Sequence, residues 1–145
     1  MTSGQSESTI KQVEAFLDKH LHKKARFKST VTYLLPGFPP KETALVLDKD
    51  DYIENIKEGI HALRDHHSEI TVKSVHIVSN GQQAIVMTEG RESGTMAIPV
   101  QGEPDEKVPI EGFTNCNQIL RLSKKGVIQM YNAVCDTQIE FIGAL

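Results

Sequence analysis

Apolar residues at helical spacing fall in the first half of the chain, and everything after about residue 70 reads as strands. Ile10, Val13, Phe16, Leu17 and Leu21 form one stripe, and Ile53, Ile56, Ile60 and Leu63 form a second. Beyond them, apolar and β-branched runs are separated by Asn80-Gly81 and Lys124-Lys125-Gly126, both hairpin signals. Helices early and a meander late imply an α+β layer arrangement, with helices against one face of a curved antiparallel sheet. A strongly bent sheet closed on one side by helices makes a cone, and ligand sites favour such concave places.

The local signals fill in the order. Thr9 with Gln12 three residues on has the spacing of a capping box, so the first helix is expected to start there, leaving residues 1–8 outside the fold. From Ala25 to Tyr33 the chain turns to β formers, and Pro36-Gly37-Phe38-Pro39-Pro40 reads as a loop. Thr43 to Leu47 reads as a short strand. Asp51 with Glu54 gives the next capping signal, for a helix ending near Asp65-His66-His67. Strands are expected over Ile70 to Val78, Ala84 to Glu89 or beyond, Phe113 to Leu122 and Val127 to Phe141. Gly94, Pro99, Gly102, Pro104 and Pro109 mark a long irregular connection in between.

Composition narrows the function classes. The chain has 145 residues, 39% hydrophobic and 24% charged, which suits one globular domain over 1–145. A domain of that size buries roughly 68–70% of its unfolded surface and needs no staple. The longest apolar run is Ala44 to Leu47, far short of the ~20 residues of a membrane-spanning helix. The net charge is −3 and the basic residues are scattered, so a nucleic-acid partner is not expected. Met1 to Thr9 carries neither a basic start nor an apolar stretch, which reads as cytoplasmic. Cys116 and Cys135 are too few for a disulfide framework.

Motifs that name a reaction do not occur. There is no H-E-x-x-H, no G-x-S-x-G, no P-loop and no G-x-G-x-x-G, so neither a metal nor a cofactor is implied. His20 and His22 point to different sides of a helix, and His61 and His76 stand alone. His66 and His67 sit at an expected helix end, where the dipole favours an imidazolium.

The helix–strand–helix–meander order, from about Ile10 to about Phe141, resembles the nuclear-transport-factor-2-like superfamily, which includes ketosteroid isomerases and polyketide-cyclase-type proteins. The most specific piece is the last hairpin, in which Gly126, Ile128 and Asp136 match the family's spacing after Gln118-Ile119-Leu120-Arg121-Leu122. The resemblance implies a cystatin-like, cone-shaped barrel. A shared fold does not carry a chemistry with it. Steroid-type isomerisation needs a carboxylate base, a Tyr and a protonated Asp. The match puts Gln118 in place of the Asp and Phe16 in place of the Tyr, with no carboxylate between Tyr33 and Leu35. That mechanism is rejected.

The same match implies which side chains enter the cone. Cys116, Gln118 and Leu120 would face inward from one strand, and Gln129, Tyr131, Ala133 and Cys135 from the next. Met87, Glu89 and Arg91 would face inward after Asn80-Gly81. Ile119, Ile128, Met130 and Val134 would face out, implying a homodimer through the outer sheet face. Glu89 and Arg91 are two apart on one strand and so share a face. Inside the cone they would pair beside Gln118 and Tyr131, whereas on a rim they would form an ordinary solvated bridge.

Two registers are open for the last hairpin. A two-residue Lys125-Gly126 turn puts Cys116 directly opposite Cys135. A three-residue Lys124–Gly126 turn pairs Leu120 with Met130 and Leu122 with Ile128, with the cysteines on opposite faces unless a bulge intervenes. In the first register a disulfide between them is within reach and stays open, while reduced cysteines packed as small apolar side chains are the expected state.

The leading functional expectation is a binder of a hydrophobic, lipid-like small molecule, in a pocket lined by Met87, Leu120, Tyr131, Tyr33, Cys116 and Cys135. Glu89, Arg91 and Gln118 would anchor its polar end. The runner-up is an enzyme of isomerase, cyclase or hydratase type acting on a hydrophobic carbonyl compound, with Glu89 as its acid/base. A protein-interaction module is the third class.

Overall fold

A computed structural model of the chain describes residues 3–142, with side chains described outside 3–8, 60–64, 79, 98–100 and 105. Among these residues the order is α1 (Ser3–His20), β1 (Leu21–Leu34), β2 (Lys41–Leu47), α2 (Lys49–Ala62), β3 (Leu63–Val78), β4 (Gln83–Val100), β5 (Glu103–Leu122) and β6 (Ile128–Phe141). The strands form one curved mixed sheet in the order β2-β1-β6-β5-β4-β3. β1 runs parallel to β6, and every other neighbour is antiparallel. The sheet is open, with β2 and β3 as its edges. It is therefore a cone-like α+β fold whose barrel is not closed.

Both helices start earlier than their sequence signals. α1 begins at Ser3, ahead of Thr9. α2 is capped by Asp48, whose Oδ1 accepts from the Asp51 amide at 2.8 Å while its carbonyl takes the Tyr52 amide at 2.9 Å. A carboxylate at that position satisfies a donor that the helix cannot. The cap is thus three residues before Asp51. α2 also ends sooner, at Ala62; the chain from Leu63 on is strand, and Asp65 adopts a φ of 51° where the β3–β4 register shifts between Arg64 and His67. His66 and His67 lie on a strand and at no helix terminus.

The expected irregular connection is a long hairpin. β4 continues to Val100, the chain turns at Gln101-Gly102 with Gly102 at φ 78°, and β5 returns from Glu103. A two-residue turn with a glycine at positive φ is a favoured hairpin closure. Pro109 pairs with Thr95 inside this ribbon.

Helix packing covers only part of the concave face. Ile53, Leu21, Ala25, Phe27 and Ala133 form a buried cluster, with Leu17, Leu47, Tyr52, Met130 and Cys135 against it. The Phe27 and Tyr52 rings stack with centroids 4.0 Å apart. Lys57 joins the helices through Glu14 at 3.3 Å and Glu54 at 3.2 Å, and Lys49 reaches Asp18 at 3.0 Å. A second cluster, Val108, Ile110 and Phe141 with Tyr33, Met96 and Ile139, closes the far end of β5 and β6. Between the clusters the concave face of β3–β5 is left uncovered, and Ile70, Val72, Val75 and Ile77 on β3 are all more than half exposed.

Candidate functional site

The last hairpin settles the register question by using both alternatives. Near the turn Leu122 pairs with Ile128 and Leu120 with Met130, around a three-residue Lys124–Gly126 connection with Gly126 at φ 80°. The Ser123 amide donates to the Val127 carbonyl at 2.8 Å, and the Val127 amide to the Ser123 hydroxyl at 3.0 Å. A bulge between Ile119 and Leu120 then shifts the pairing, so that Gln118 faces Ala133 and Cys116 faces Cys135. The cysteines are joined as a disulfide with Cα atoms 4.1 Å apart. Reduced, separately packed cysteines are not what the structure contains.

The bulge also redirects side chains. Met130 packs on the helix-covered cluster, a correction to its expected outward position. Tyr131 turns away from the cone and lies beneath the Arg121 guanidinium, 3.8 Å from the ring centroid, with the His22 ring at 4.8 Å. Gln129 leaves the cone as well and donates to the Lys19 carbonyl at 3.1 Å. An extra residue in one strand inverts the alternation past it, which the uniform two-residue repeat of the sequence reading did not contain.

β4 carries the larger correction. Thr88 pairs with Cys116, Gly90 with Thr114 and Glu92 with Gly112, so Val86, Thr88, Gly90 and Glu92 share the concave face with the disulfide. Met87, Glu89 and Arg91 therefore lie on the outer face, opposite Asn117, Asn115 and Phe113. There Glu89 meets Lys73 at 3.5 Å, and Arg91 sits 5.5 Å over the Phe113 ring. Glu89 and Arg91 border a shallow outer depression with Glu69 and Thr71. Tyr33 belongs to the second hydrophobic cluster, and Leu120 lies beside Met130. Of the expected polar anchors, Gln118 lies on the concave face and Arg91 borders the cleft there from the outer face.

That face holds a cleft of about 300 Å³ lined by Tyr52, Ser68, Ile70, Thr88, Gly90, Glu92, Thr114, Cys116 and Gln118, with Arg91 at its edge. Gln118 Nε2 points at the Thr88 hydroxyl from 3.5 Å, and the Thr114 and Thr137 hydroxyls are 3.0 Å apart. Burial pushes the Tyr52 phenol above its ordinary pKa, so its hydroxyl stays protonated and available as a donor. At the open end, His66 Nε2 and Glu92 Oε2 are 3.1 Å apart. Glu92 reaches this position by lying across Gly112, where any Cβ would stand 2.8 Å from its Cγ. Sequence reasoning missed Glu92, His66, Thr88 and Thr114. The one available signal was Gly112, a residue without a side chain opposite a long one.

No family model matches the chain, and the search of curated proteins found no match. Solved structures do match in shape. A conserved protein from Planctomyces limnophilus superposes with a TM-score of 0.56 at 18% identity, over 94% of this chain and 88% of its own. A hexachlorocyclohexane dehydrochlorinase of type 2 gives 0.58 at 9% identity, over 93% and 79%. The element order is the one the sequence resemblance implied, and the match extends over nearly the whole chain. The chain has the nuclear-transport-factor-2-like fold.

The helices pack over one part of the concave face, and the cleft lies beside them, with Tyr52 of α2 on its wall. A dehydratase of the nuclear-transport-factor-2-like family from Streptomyces avermitilis matches at a TM-score of 0.41 and 11% identity, over 74% of this chain and 66% of its own. At identities this low the likeness is one of fold. The cleft's own groups must carry any functional reading.

Proposed function

We propose that the concave cleft binds a small, partly apolar organic molecule. The observation that carries this reading is the convergence of Thr88, Thr114 and Gln118 with Ile70 of β3 and Tyr52 of α2 around one cleft. A few hydroxyl and amide groups on an otherwise apolar wall give orientation, and the wall gives affinity. Ile70 continues into the exposed row Val72, Val75 and Ile77, which favours a ligand with a hydrocarbon portion. The test is backbone-amide NMR during titration with a fragment set of amphiphilic carbonyl compounds. Shifts centred on residues 88, 114 and 118 are expected. Thr114→Val or Gln118→Leu should weaken binding about 2- to 10-fold, the worth of one hydrogen bond. Shifts that avoid the cleft for every fragment would sink the proposal.

His66 and Glu92 favour a second reading, acid/base chemistry on the bound molecule. A carboxylate held on Nε2 orients the imidazole and leaves Nδ1 as the atom that takes a proton. This moves the acid/base role from Glu89, which pairs with Lys73 on the outer face, to His66, held by the cleft-lining Glu92. Glu92→Gln should then abolish turnover and leave fragment affinity in place. Equal turnover by the variant removes the enzymatic reading and leaves the binding one.

The expected homodimer is likewise a proposal. Ile85 and Ile119 are cross-strand partners on the outer face, with Met87 48% and Val134 47% exposed beside them. Adjacent exposed aliphatic side chains on a sheet face support a self-complementary contact.

A further inference from the structure

The two ends of the Cys116–Cys135 bond have different surroundings. Cys116 lines the cleft, flanked on β4 by its partner Thr88. Cys135 packs on the Leu21, Ala25, Phe27 and Ala133 cluster beneath the helices, flanked on β1 by Ser29. The bond joins strands that are already hydrogen-bonded to one another on both sides of it. It closes a separation of 19 residues within a single hairpin and ties no distant parts of the chain together.

We propose that this disulfide is a thiol-exchange site, attacked at Cys116 by a low-molecular-weight thiol entering the cleft. Displacement at a disulfide sulfur runs in line, with the nucleophile approaching from the side opposite the bond that breaks. β5 lies between β4 and β6, so the side of Cys116 opposite Cys135 faces β4 and the cleft. The corresponding side of Cys135 faces β1 and the covered cluster. Both sulfurs belong to half-buried residues, but the approach to Cys116 passes the Thr88 side chain within the cleft, whereas the approach to Cys135 runs into the apolar cluster, which favours attack at Cys116. Exchange rates depend on which sulfur is attacked and on access.

The chemistry balances with the thiol as the reductant. The thiolate forms a new S–S bond to Cys116 Sγ, the Cys116–Cys135 bond breaks, and Cys135 leaves with the electron pair and takes a proton from water. A second thiol molecule then attacks the bound thiol's sulfur and releases the small disulfide, leaving both cysteines reduced. Re-attack by the neighbouring Cys135 reverses the first step. The mixed disulfide on Cys116 fills the cleft, so exchange and ligand occupancy compete.

The test uses glutathione on the folded protein and does not depend on any cleft ligand. Cys135→Ala and Cys116→Ala, each carrying one thiol, are treated with oxidised glutathione, and adducts are timed by intact mass. Cys116 in the first variant is expected to react at least about tenfold faster than Cys135 in the second. Equal rates, or a faster Cys135, overturn the assignment. Wild-type protein gives a check that needs no variant. Under native conditions, reduced glutathione followed by alkylation should label the pair faster than the chain unfolds globally, as read by hydrogen exchange of the β5 and β6 amides. Labelling that only keeps pace with global unfolding also overturns it. Fragment binding with unreactive cysteines would sink this proposal and leave the cleft reading standing.

Discussion

Glu92 lies across the backbone of Gly112, its cross-strand partner, and in that position its carboxylate meets His66 at 3.1 Å. A Cβ on Gly112 would stand 2.8 Å from Glu92 Cγ and 3.0 Å from Oε1. The absent side chain on β5 is what allows the carboxylate to reach the imidazole on β3.

Gly112→Ala should therefore displace Glu92, break its contact with His66 and destabilise the fold by about 1–3 kcal/mol, the range for forcing an extra carbon into a filled place. In a Glu92→Ala background the same change should cost markedly less, since the obstructing chain is gone. Urea denaturation of the four proteins of this cycle gives the coupling directly. Equal costs in both backgrounds would show that the two residues do not compete for one space.

Phe27 ties the sheet to α2 through its stack on Tyr52 and is buried in the cluster under the helices. Phe27→Ala removes a full aromatic ring from that cluster and should cost about 3–5 kcal/mol. Phe38, in the Pro-rich loop between β1 and β2, is 61% exposed. Its replacement by Ala should stay within about 0.5 kcal/mol. Comparable losses from the two variants in chemical denaturation would mean that the helices are not anchored through Phe27.

How much of this was legible in the sequence depended on which signals fix register. Asn80-Gly81 and Lys124–Gly126 placed two hairpins, and the helical stripes placed the layer that covers the sheet. The face of β4 was not legible, because residues around Gly94, Pro99, Gly102 and Pro104 read as an irregular connection. Without the turn at Gln101-Gly102 there was no register between β4 and β5, and so no way to see Thr88 beside Cys116. Alternating hydrophobicity gave no help, since the concave row Val86, Thr88, Gly90, Glu92 is more polar than a core face usually is, while Met87 lies outside. The bulge at Ile119/Leu120 carries no Gly or Pro to announce it. His66 and Glu92 are 26 residues apart in sequence, and only the β3–β4 pairing brings them together.

The outer-face proposal gives a direct expectation for assembly. Val134→Asp puts a carboxylate among Ile85, Met87 and Ile119, where burial in a self-contact would leave it unpaired. Wild-type protein should run as a dimer in size-exclusion chromatography with light scattering, and the variant should shift to monomer with its circular dichroism unchanged. A wild-type monomer across the accessible concentration range removes the dimer.

His22 gives the fold a pH dependence whose sign follows from its surroundings. Partial burial, then the positive charges of Lys23, Arg121, Lys24 and Lys49, hold its imidazole below the ordinary value of 6.5. The Lys24 amide donates to Nδ1 at 3.0 Å, a bond that requires this nitrogen to be unprotonated. A histidine with a lowered folded pKa contributes stability that is complete above the unfolded value and is lost as pH falls through the folded one. Acidification from about pH 7.5 to about pH 5.5 should thus lower the melting temperature of the wild type more than that of His22→Gln. Parallel pH profiles for the two proteins would place the acid sensitivity at some other group.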